Sequence, residues 1–212
     1  MTIRVLLADD HALMRAGLRA LLTSVPDIGV VGEVSTGREA ERQVLQLNPD
    51  VVLMDVAMPD LNGIDAARAI HLKRPAMRIV MLSMHATAEY VYRAFEAGAS
   101  GYLLKEAAVE EVITAVQTVY GGGRYLSPTL AESVPDLDTG HARSPIDRLS
   151  ARERQVLQLV VEGRTSIEIA RMIHLSPSSV QTYRSRLMVK LGVSDVPSLV
   201  KFALEHGLTP PD

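Results

Sequence analysis

The sequence has 212 residues, of which 47% are hydrophobic and 22% are charged. This composition is typical of a folded globular protein and argues against disorder. The length allows one large domain or two small ones. The chain contains no cysteine, which excludes disulfides, thiolate nucleophiles and cysteine-based zinc sites. Because the sequence shows no long apolar run and no signal-peptide pattern, we expect a cytoplasmic protein with no membrane partner.

The net charge of −3 is distributed unevenly along the chain. Residues 1–126 carry 12 basic and 15 acidic side chains, and residues 127–147 carry one basic and four acidic side chains. Residues 148–212 carry nine basic and six acidic side chains. A mildly basic C-terminal part on an acidic chain hints at a polyanionic partner, although ordinary charge scatter explains the count equally well.

Short apolar runs alternate with helical patterns over the first 125 residues. The runs are rich in Val, Ile and Leu, which is typical of parallel strands buried on both faces. They span Ile3–Ala8, Ile28–Val34, Val51–Met54, Ile79–Leu82 and Tyr102–Leu104. The amphipathic stripes between them predict helices. The alternation predicts a doubly wound α/β fold with a five-stranded parallel sheet, whose ligands bind beyond the carboxyl ends of the strands. In a sheet whose order reverses beside the first strand, as in 2-1-3-4-5, the first and third strands are neighbours.

A change of pattern divides the chain after this sheet. The glycines at 121–123 end the last helix of the α/β part, and a segment with three prolines and little apolar periodicity follows. We therefore predict a first domain at 1–124, a linker at 125–147 and a second domain at 148–212.

The second domain is purely helical in pattern. Capping boxes at Ser150 and Thr165 start two helices, and a serine followed by Pro177 starts a third. A fourth helix is predicted from about Asp195 to His206. Four helices joined by tight turns predict an all-α bundle with a helix-turn-helix motif at about 166–185.

Polar side chains stand where four of the predicted strands end. Asp9 and Asp10 follow the first strand and Asp55 follows the third. Neighbouring strands would crowd the three carboxylates together, where repulsion prevents full ionisation unless a cation such as Mg²⁺ is present. Ser83 ends the fourth strand with a hydroxyl, and Lys105 ends the fifth with an ammonium group. This set suits phosphoryl transfer onto an aspartate.

Other interpretations of these residues stay open at this point. A single aspartate after a strand is more often a turn or capping residue than a catalytic one. An aspartyl-phosphate phosphatase also uses such an aspartate, but Ala57 stands where its second acid is expected. A third alternative is a protein-interaction module that controls the second domain without being phosphorylated.

Several motifs together carry a resemblance to a known family. In the first domain they are Asp9-Asp10, Asp55 with Met58-Pro59 and Gly63, Ser83, and Gly101–Lys105. In the second they are Leu149–Arg154, Gly163, Ile169-Ala170, Val180 and Lys190–Val193. The first set resembles the receiver domain of bacterial two-component response regulators, and the second resembles the LuxR-type helix-turn-helix. The chain, apart from its linker, thus resembles transcriptional regulators of the NarL/FixJ class.

The resemblance implies a role for each carboxylate. Asp55 would receive a phosphoryl group from a sensor histidine kinase. Asp10, Asp55 and the backbone carbonyl of Ala57 would bind Mg²⁺, with Asp9 acting directly or through water. The protein would not be an enzyme, beyond assisting its own aspartyl phosphorylation and dephosphorylation.

The resemblance also implies a switch. Ser83 and Lys105 would contact the phosphoryl oxygens, and Tyr102 would rotate inward when Ser83 moves toward the phosphate. A half-exposed strand aromatic is the alternative for Tyr102. His85 stands at a position that tunes dephosphorylation in such proteins, but a surface-loop role is at least as good an interpretation. Glu106 replaces the proline that follows the lysine in many receivers, so no cis-proline is expected.

The third helix of the second domain is the predicted DNA-reading helix. Its core-facing residues, at helical spacing, are Val180, Tyr183, Leu187 and Leu191. The opposite face offers groups suited to base edges, namely Ser178, Gln181, Thr182, Ser185 and Val189. Three bases near its edges would meet phosphates, and these are Arg184, Arg186 and Lys190. For Tyr183, both inward packing and a phosphate contact stay open.

The predicted partners follow from the same resemblance. They are the sensor histidine kinase, double-stranded promoter DNA, a second copy of the chain after phosphorylation, and RNA polymerase. Phosphorylation would promote dimerisation or free the reading helix from the receiver, and the fourth helix would pair two output domains on a two-fold symmetric site.

Overall fold

The first part of the chain folds around one parallel sheet, as its alternating pattern predicts. The structure, a computed structural model, divides into two compact units, Met1–Gly140 and His141–Asp212. It describes residues 2–107, 109–131, 134, 145–206 and 208.

Six strands make up the sheet of the first unit. They are β1 (Ile3–Ala8), β2 (Ile28–Val34), β3 (Val51–Asp55), β4 (Arg78–Ser83), β5 (Gly101–Leu104) and β6 (Tyr125–Leu126). All neighbours pair in parallel, in the order β2-β1-β3-β4-β5-β6. The predicted doubly wound class and the order of the first five strands are confirmed. The predicted count of five is wrong, because β6 is too short to show an alternating pattern.

Six helices accompany the sheet in the described part of the first unit. They are α1 (Ala12–Thr23), α2 (Gly37–Leu47), α3 (Gly63–Lys73), α4 (Ala88–Glu96), α5 (Val109–Tyr120) and the short α6 (Pro128–Ala131). The sequence pattern did not reveal α3. Its first turns are buried on nearly every side and contain small residues, so no clean amphipathic stripe marks it.

The core lies on both faces of the sheet. Leu6, Val52 and Ile79 point to one face and pack with residues of α2, α3 and α4. Their neighbours along the strands point to the other face and pack with residues of α1 and α5. Burial on both faces explains the continuous apolar runs of the central strands. The edge strand β2 departs from the prediction, because most of its residues are only half buried.

The start of the predicted linker packs against the first unit. Leu126 lies in β6, and the buried Leu130 and Val134 join the core on the α3 face of the sheet. Residues 132–133 and 135–144 lie outside the described residues. The limits of the two domains and of the linker therefore stay predictions.

The second unit is an all-α bundle, as predicted. A 3₁₀ turn at Pro145–Arg148 precedes α7 (Ala151–Val161), α8 (Ser166–Met172), α9 (Pro177–Leu191) and α10 (Val196–Glu205). Both predicted capping boxes are present, and Gly192 ends α9 with φ of 69°. The core residues include Leu157, Ile169, Val180, Leu187 and Leu199.

Within the described parts of the chain, no helix is both long enough and apolar enough to cross a membrane. The cytoplasmic location stays a prediction.

Candidate functional site

The pairing of β1 with β3 brings the three predicted carboxylates together. Ala8 is in register with Met54, so the residues that follow the two strands lie side by side. Asp9, Asp10, His11 and Asp55 each place one ligand atom within 4.8 Å of all the others. Asp9 and Asp55 are buried, and Asp10 lies nearer the surface. The convergence expected from the parallel sheet is therefore present in the structure.

Lys105 reaches into this carboxylate cluster from the end of β5. Its Nζ lies 2.6 Å from Oδ2 of Asp55 and 3.1 Å from Oδ2 of Asp9. The backbone N–H of Lys105 donates to the carbonyl of Ser83, at 2.8 Å, which fixes the lysine beside the end of β4. The ammonium group thus neutralises part of the negative charge in the pocket.

Burial and charge change the proton affinity of both partners. Desolvation by burial, together with the Asp9 carboxylate, raises the pKa of Asp55 to about 7, although the hydrogen bond and positive charge of Lys105 act to lower it. Burial alone would lower the pKa of Lys105, but its hydrogen bond to Asp55 and the nearby carboxylates raise it overall. The lysine therefore remains charged at neutral pH, while Asp55 is poised between its two protonation states.

One buried carboxylate oxygen of this cluster lacks a hydrogen-bond donor among the described residues. It is Oδ1 of Asp10, whereas the buried Oδ2 of Asp9 meets the Lys105 ammonium at 3.1 Å. Such oxygens are costly to bury unless a cation or a donor meets them. Oxygen donors of this kind are the preferred ligands of Mg²⁺, so the residues present fit the implied ion.

The loop after β3 shapes the pocket around Asp55. The N–H of Ala57 donates to Oδ1 of Asp55, at 3.2 Å. Gly63 starts α3 so close to β3 that a Cβ at this position would lie 1.9 Å from the carbonyl oxygen of Asp55. Only glycine permits this approach of helix to strand. The sequence identifies Gly63 only as part of a motif, whereas the structure shows that a larger residue would collide with the backbone of Asp55.

Ser83 and Tyr102 are joined through the backbone of His85. The hydroxyl of Ser83 accepts from the His85 N–H, at 3.0 Å, and the hydroxyl of Tyr102 donates to the His85 carbonyl, at 2.9 Å. Tyr102 is fully buried, so the half-exposed alternative is wrong. Its role as a switch stays a prediction.

The His85 side chain packs rather than projecting from a surface loop. Its ring stacks on Tyr90 of α4, with centroids 4.2 Å apart and planes inclined by 17°. The sequence does not identify Tyr90 as a partner of His85, because the hydrophobic pattern does not show which face of α4 lies against the loop after β4.

The predicted reading face of α9 is exposed. Val180 and Leu187 are buried, and Tyr183 packs partly buried against the core of the bundle, while a phosphate contact of its hydroxyl stays a prediction. The polar residues of the opposite face are all exposed, and these are Ser178, Gln181, Thr182 and Ser185.

The three bases of α9 differ in their contacts. Arg184 donates to the hydroxyl of Ser166, at 2.8 Å, and Lys190 pairs with Glu153, also at 2.8 Å. Arg186 is exposed and has no hydrogen bond or ion pair with any described residue. Contacts of Arg184 and Lys190 with phosphate stay predictions, and each would compete with a contact inside the bundle.

Comparison with known proteins agrees with this arrangement. Residues 5–117 match the family described as response regulator receiver domain, and residues 147–203 match the family described as bacterial regulatory proteins, luxR family. The chain is a response regulator with a LuxR-type DNA-binding domain. The resemblance found in the sequence is thereby confirmed.

Relatives of this response regulator match it over nearly its whole length. "Transcriptional regulatory protein MctR" of Rhizobium johnstonii is 40% identical over 97% of the chain and 95% of the relative. "Response regulator UvrY" of Escherichia coli is 38% identical over the same shares. The response regulator is therefore a transcriptional regulator, as its sequence predicts.

Solved structures share the fold. A LuxR-family response regulator from Aurantimonas sp. SI85-9A1 is 37% identical, with a TM-score of 0.62 over 64% of this chain and 96% of its own. A structure of the response regulator RcsB in complex with DNA is 25% identical, with a TM-score of 0.61 over 97% of this chain and 99% of its own.

Proposed function

We propose that Asp55 of this response regulator accepts a phosphoryl group from a sensor histidine kinase, and that the modification controls binding to promoter DNA. The main support is the contact of 2.6 Å between Lys105 Nζ and Asp55 Oδ2 inside a buried carboxylate cluster. An isolated aspartate at a strand end would need neither the lysine nor its acidic neighbours.

In the proposed transfer, a carboxylate oxygen of Asp55 attacks the phosphorus as the bond between phosphorus and the donor nitrogen breaks. The Lys105 ammonium and the Ser83 hydroxyl bind the phosphoryl oxygens and stabilise their charge. Asp10, Asp55 and the Ala57 carbonyl would hold Mg²⁺, with Asp9 directly or through water. When bound, the ion supplies positive charge that offsets the developing negative charge. Beyond this self-modification, the proposal includes no enzymatic activity.

The contacts of Ser83 offer a route for the signal. Phosphorylation adds about −1.5 to −2 charges at pH 7, which attract the Ser83 hydroxyl and Lys105. Because Ser83 accepts from His85, and the His85 carbonyl accepts from Tyr102, a movement of Ser83 changes both contacts. This biases the surface formed by β4, β5 and α4 between two states.

The proposed partners are the sensor histidine kinase, double-stranded promoter DNA, RNA polymerase and a second copy of the chain. The DNA complex recorded for RcsB supports DNA as a partner, since the relative shares both domains. Phosphorylation is proposed to promote dimerisation or to free α9, and α10 is proposed to pair two output domains on a two-fold symmetric site.

The dimer step is tested with beryllofluoride, which occupies the place of a phosphoryl group on an aspartate. We expect light scattering to show a doubled mass and DNA affinity to rise when beryllofluoride and Mg²⁺ are added to the full chain. Asp55→Asn serves as the control and is expected to respond to neither. An unchanged mass together with unchanged DNA affinity in the wild type would refute phosphorylation control.

The reading face of α9 is tested by comparing operator and unrelated DNA. Gln181→Ala or Thr182→Ala is expected to relax sequence preference at the base pairs that each contacts, by about 1–3 kcal/mol. Arg186→Ala is expected to weaken all DNA alike and to lower the slope of log affinity against log salt by about 1.

Arg42→Ala provides a matched control, because this arginine is also exposed but lies on α2 of the first unit rather than on α9. If a variant at Gln181 and Thr182 together keeps full operator selectivity, this face of α9 does not read the sequence.

A further inference from the structure

We infer that His11 is a direct ligand at the carboxylate site, and that its imidazole raises the affinity of the site for the later first-row transition ions relative to Mg²⁺. The inference deepens the proposed function and rests on it. His11 is not one of the motif residues. It lies between the acidic pair Asp9-Asp10 and the start of α1.

The first support is the direction of the side chain. His11 is the N-cap residue of α1, yet its side chain makes no capping hydrogen bond. Six other helices of the chain begin with an oxygen-bearing side chain that accepts from the backbone, and these caps are Thr36, Asn62, Ser150, Thr165, Ser176 and Asp195. The His11 ring is turned into the carboxylate cluster instead, and 37% of the side chain stays exposed.

The second support is the spacing of the donor atoms. Nδ1 of His11 lies 3.0 Å from Oδ1 of Asp10, 3.3 Å from Oδ1 of Asp9 and 3.9 Å from Oδ2 of Asp55. Two ligand atoms about 2.1 Å from one ion are about 3.0 Å apart at right angles and about 3.4 Å apart in a tetrahedron. The two shorter distances fall in this range, so one ion can contact the imidazole together with Asp10 or with Asp9, whereas the 3.9 Å to Asp55 lies just outside it.

The third support is the chemistry of the donor set. Oδ1 of Asp10 is buried without a hydrogen-bond donor among the described residues, and it faces the imidazole nitrogen. Carboxylates alone favour hard ions such as Mg²⁺ and Mn²⁺, whereas one added imidazole nitrogen favours the later first-row ions Co²⁺, Ni²⁺, Cu²⁺ and Zn²⁺, of which Cu²⁺ binds most tightly. His11 would therefore set which divalent ions compete for the site.

The test uses the full chain loaded with Mn²⁺ at pH 8. Electron spin echo modulation from a directly coordinated ¹⁴N nucleus is expected in the wild type. His11→Asn should lose this modulation while still binding Mn²⁺, and asparagine is a favoured helix N-cap, so the variant should fold.

Calorimetry with the same proteins gives a second readout. Co²⁺ affinity is expected to fall by at least about tenfold in His11→Asn, because removing even a residue that only orients a metal ligand typically lowers metal affinity by that factor. Mg²⁺ affinity should change far less. His174→Asn is the matched control, because His174 is an exposed histidine of the other unit with φ of 54°, a conformation that asparagine adopts readily. This control should keep both the modulation and the affinity.

Two results would overturn the inference in different ways. Bound Mn²⁺ without ¹⁴N modulation in the wild type would show that His11 only pairs with the carboxylates, and the proposed phosphoacceptor site would stand. Failure of the wild type to bind Mn²⁺ or Mg²⁺ at all would overturn both the role of His11 and the proposed metal-assisted phosphorylation.

Discussion

Asp55→Asn is expected to abolish phosphorylation of the full chain by acetyl phosphate in the presence of Mg²⁺. The amide that replaces the carboxylate cannot form the acyl phosphate, and it removes a negative ligand from the cluster. Asp9 and Asp10 remain in the variant, but Asp55 is the carboxylate that contacts both Lys105 and the N–H of Ala57. Intact-protein mass spectrometry measures the result as the presence or loss of one added phosphoryl group.

Asp27→Asn is the matched control for this substitution. Asp27 is exposed and precedes β2, at the opposite end of the strands from the carboxylate cluster, so this variant should be phosphorylated like the wild type. A phosphoryl mass shift in Asp55→Asn would assign the acceptor to another residue and would contradict the proposed function.

The sheet is predictable because its strands are buried on both faces. A buried parallel strand needs a continuous run of Val, Ile and Leu, and the predicted run at Ile3–Ala8 coincides with β1. The elements that escaped prediction lack such a signal. The sixth strand has two residues, and the first turns of α3 are buried on several faces with alanine and glycine among their residues.

The carboxylate site is predictable for a related reason. In a parallel sheet, the end of each strand has a known place, so Asp9, Asp55 and Lys105 can be located from sequence position alone. The direction of a side chain carries no such rule. The turn of His11 into the cluster and the pairing of Lys190 with Glu153 each depend on a rotamer and on a partner from another segment. Sequence patterns do not contain that information.

The proton affinity of Asp55 makes the stability of the metal-free protein depend on pH. The pKa of Asp55 is about 7 in the folded protein and near 3.8 in a model peptide, mainly because burial penalises the charged form. Between these values the folded chain binds more protons than the unfolded chain, so the contribution of Asp55 to the free energy of unfolding falls as pH rises. A shift of this size corresponds to about 4 kcal/mol lost by pH 8.

Asp55→Asn removes this contribution and is therefore expected to be more stable than the wild type at pH 8, by up to about 4 kcal/mol. The difference should shrink as pH falls and vanish below the unfolded-state pKa near 3.8, where the carboxyl is protonated in both states. Urea denaturation in the presence of a chelator, followed by circular dichroism, measures this difference, and Asp27→Asn should behave like the wild type.

Added Mg²⁺ should reduce the difference in the free energy of unfolding between the wild type and Asp55→Asn at pH 8, because an ion that binds the native carboxylates stabilises the wild type by mass action. The prediction is contradicted if the free energy of unfolding depends on pH in the same way in the wild type and in Asp55→Asn. In that case the carboxyl of Asp55 ionises as readily in the folded chain as in the unfolded chain, because Lys105 alone balances its charge.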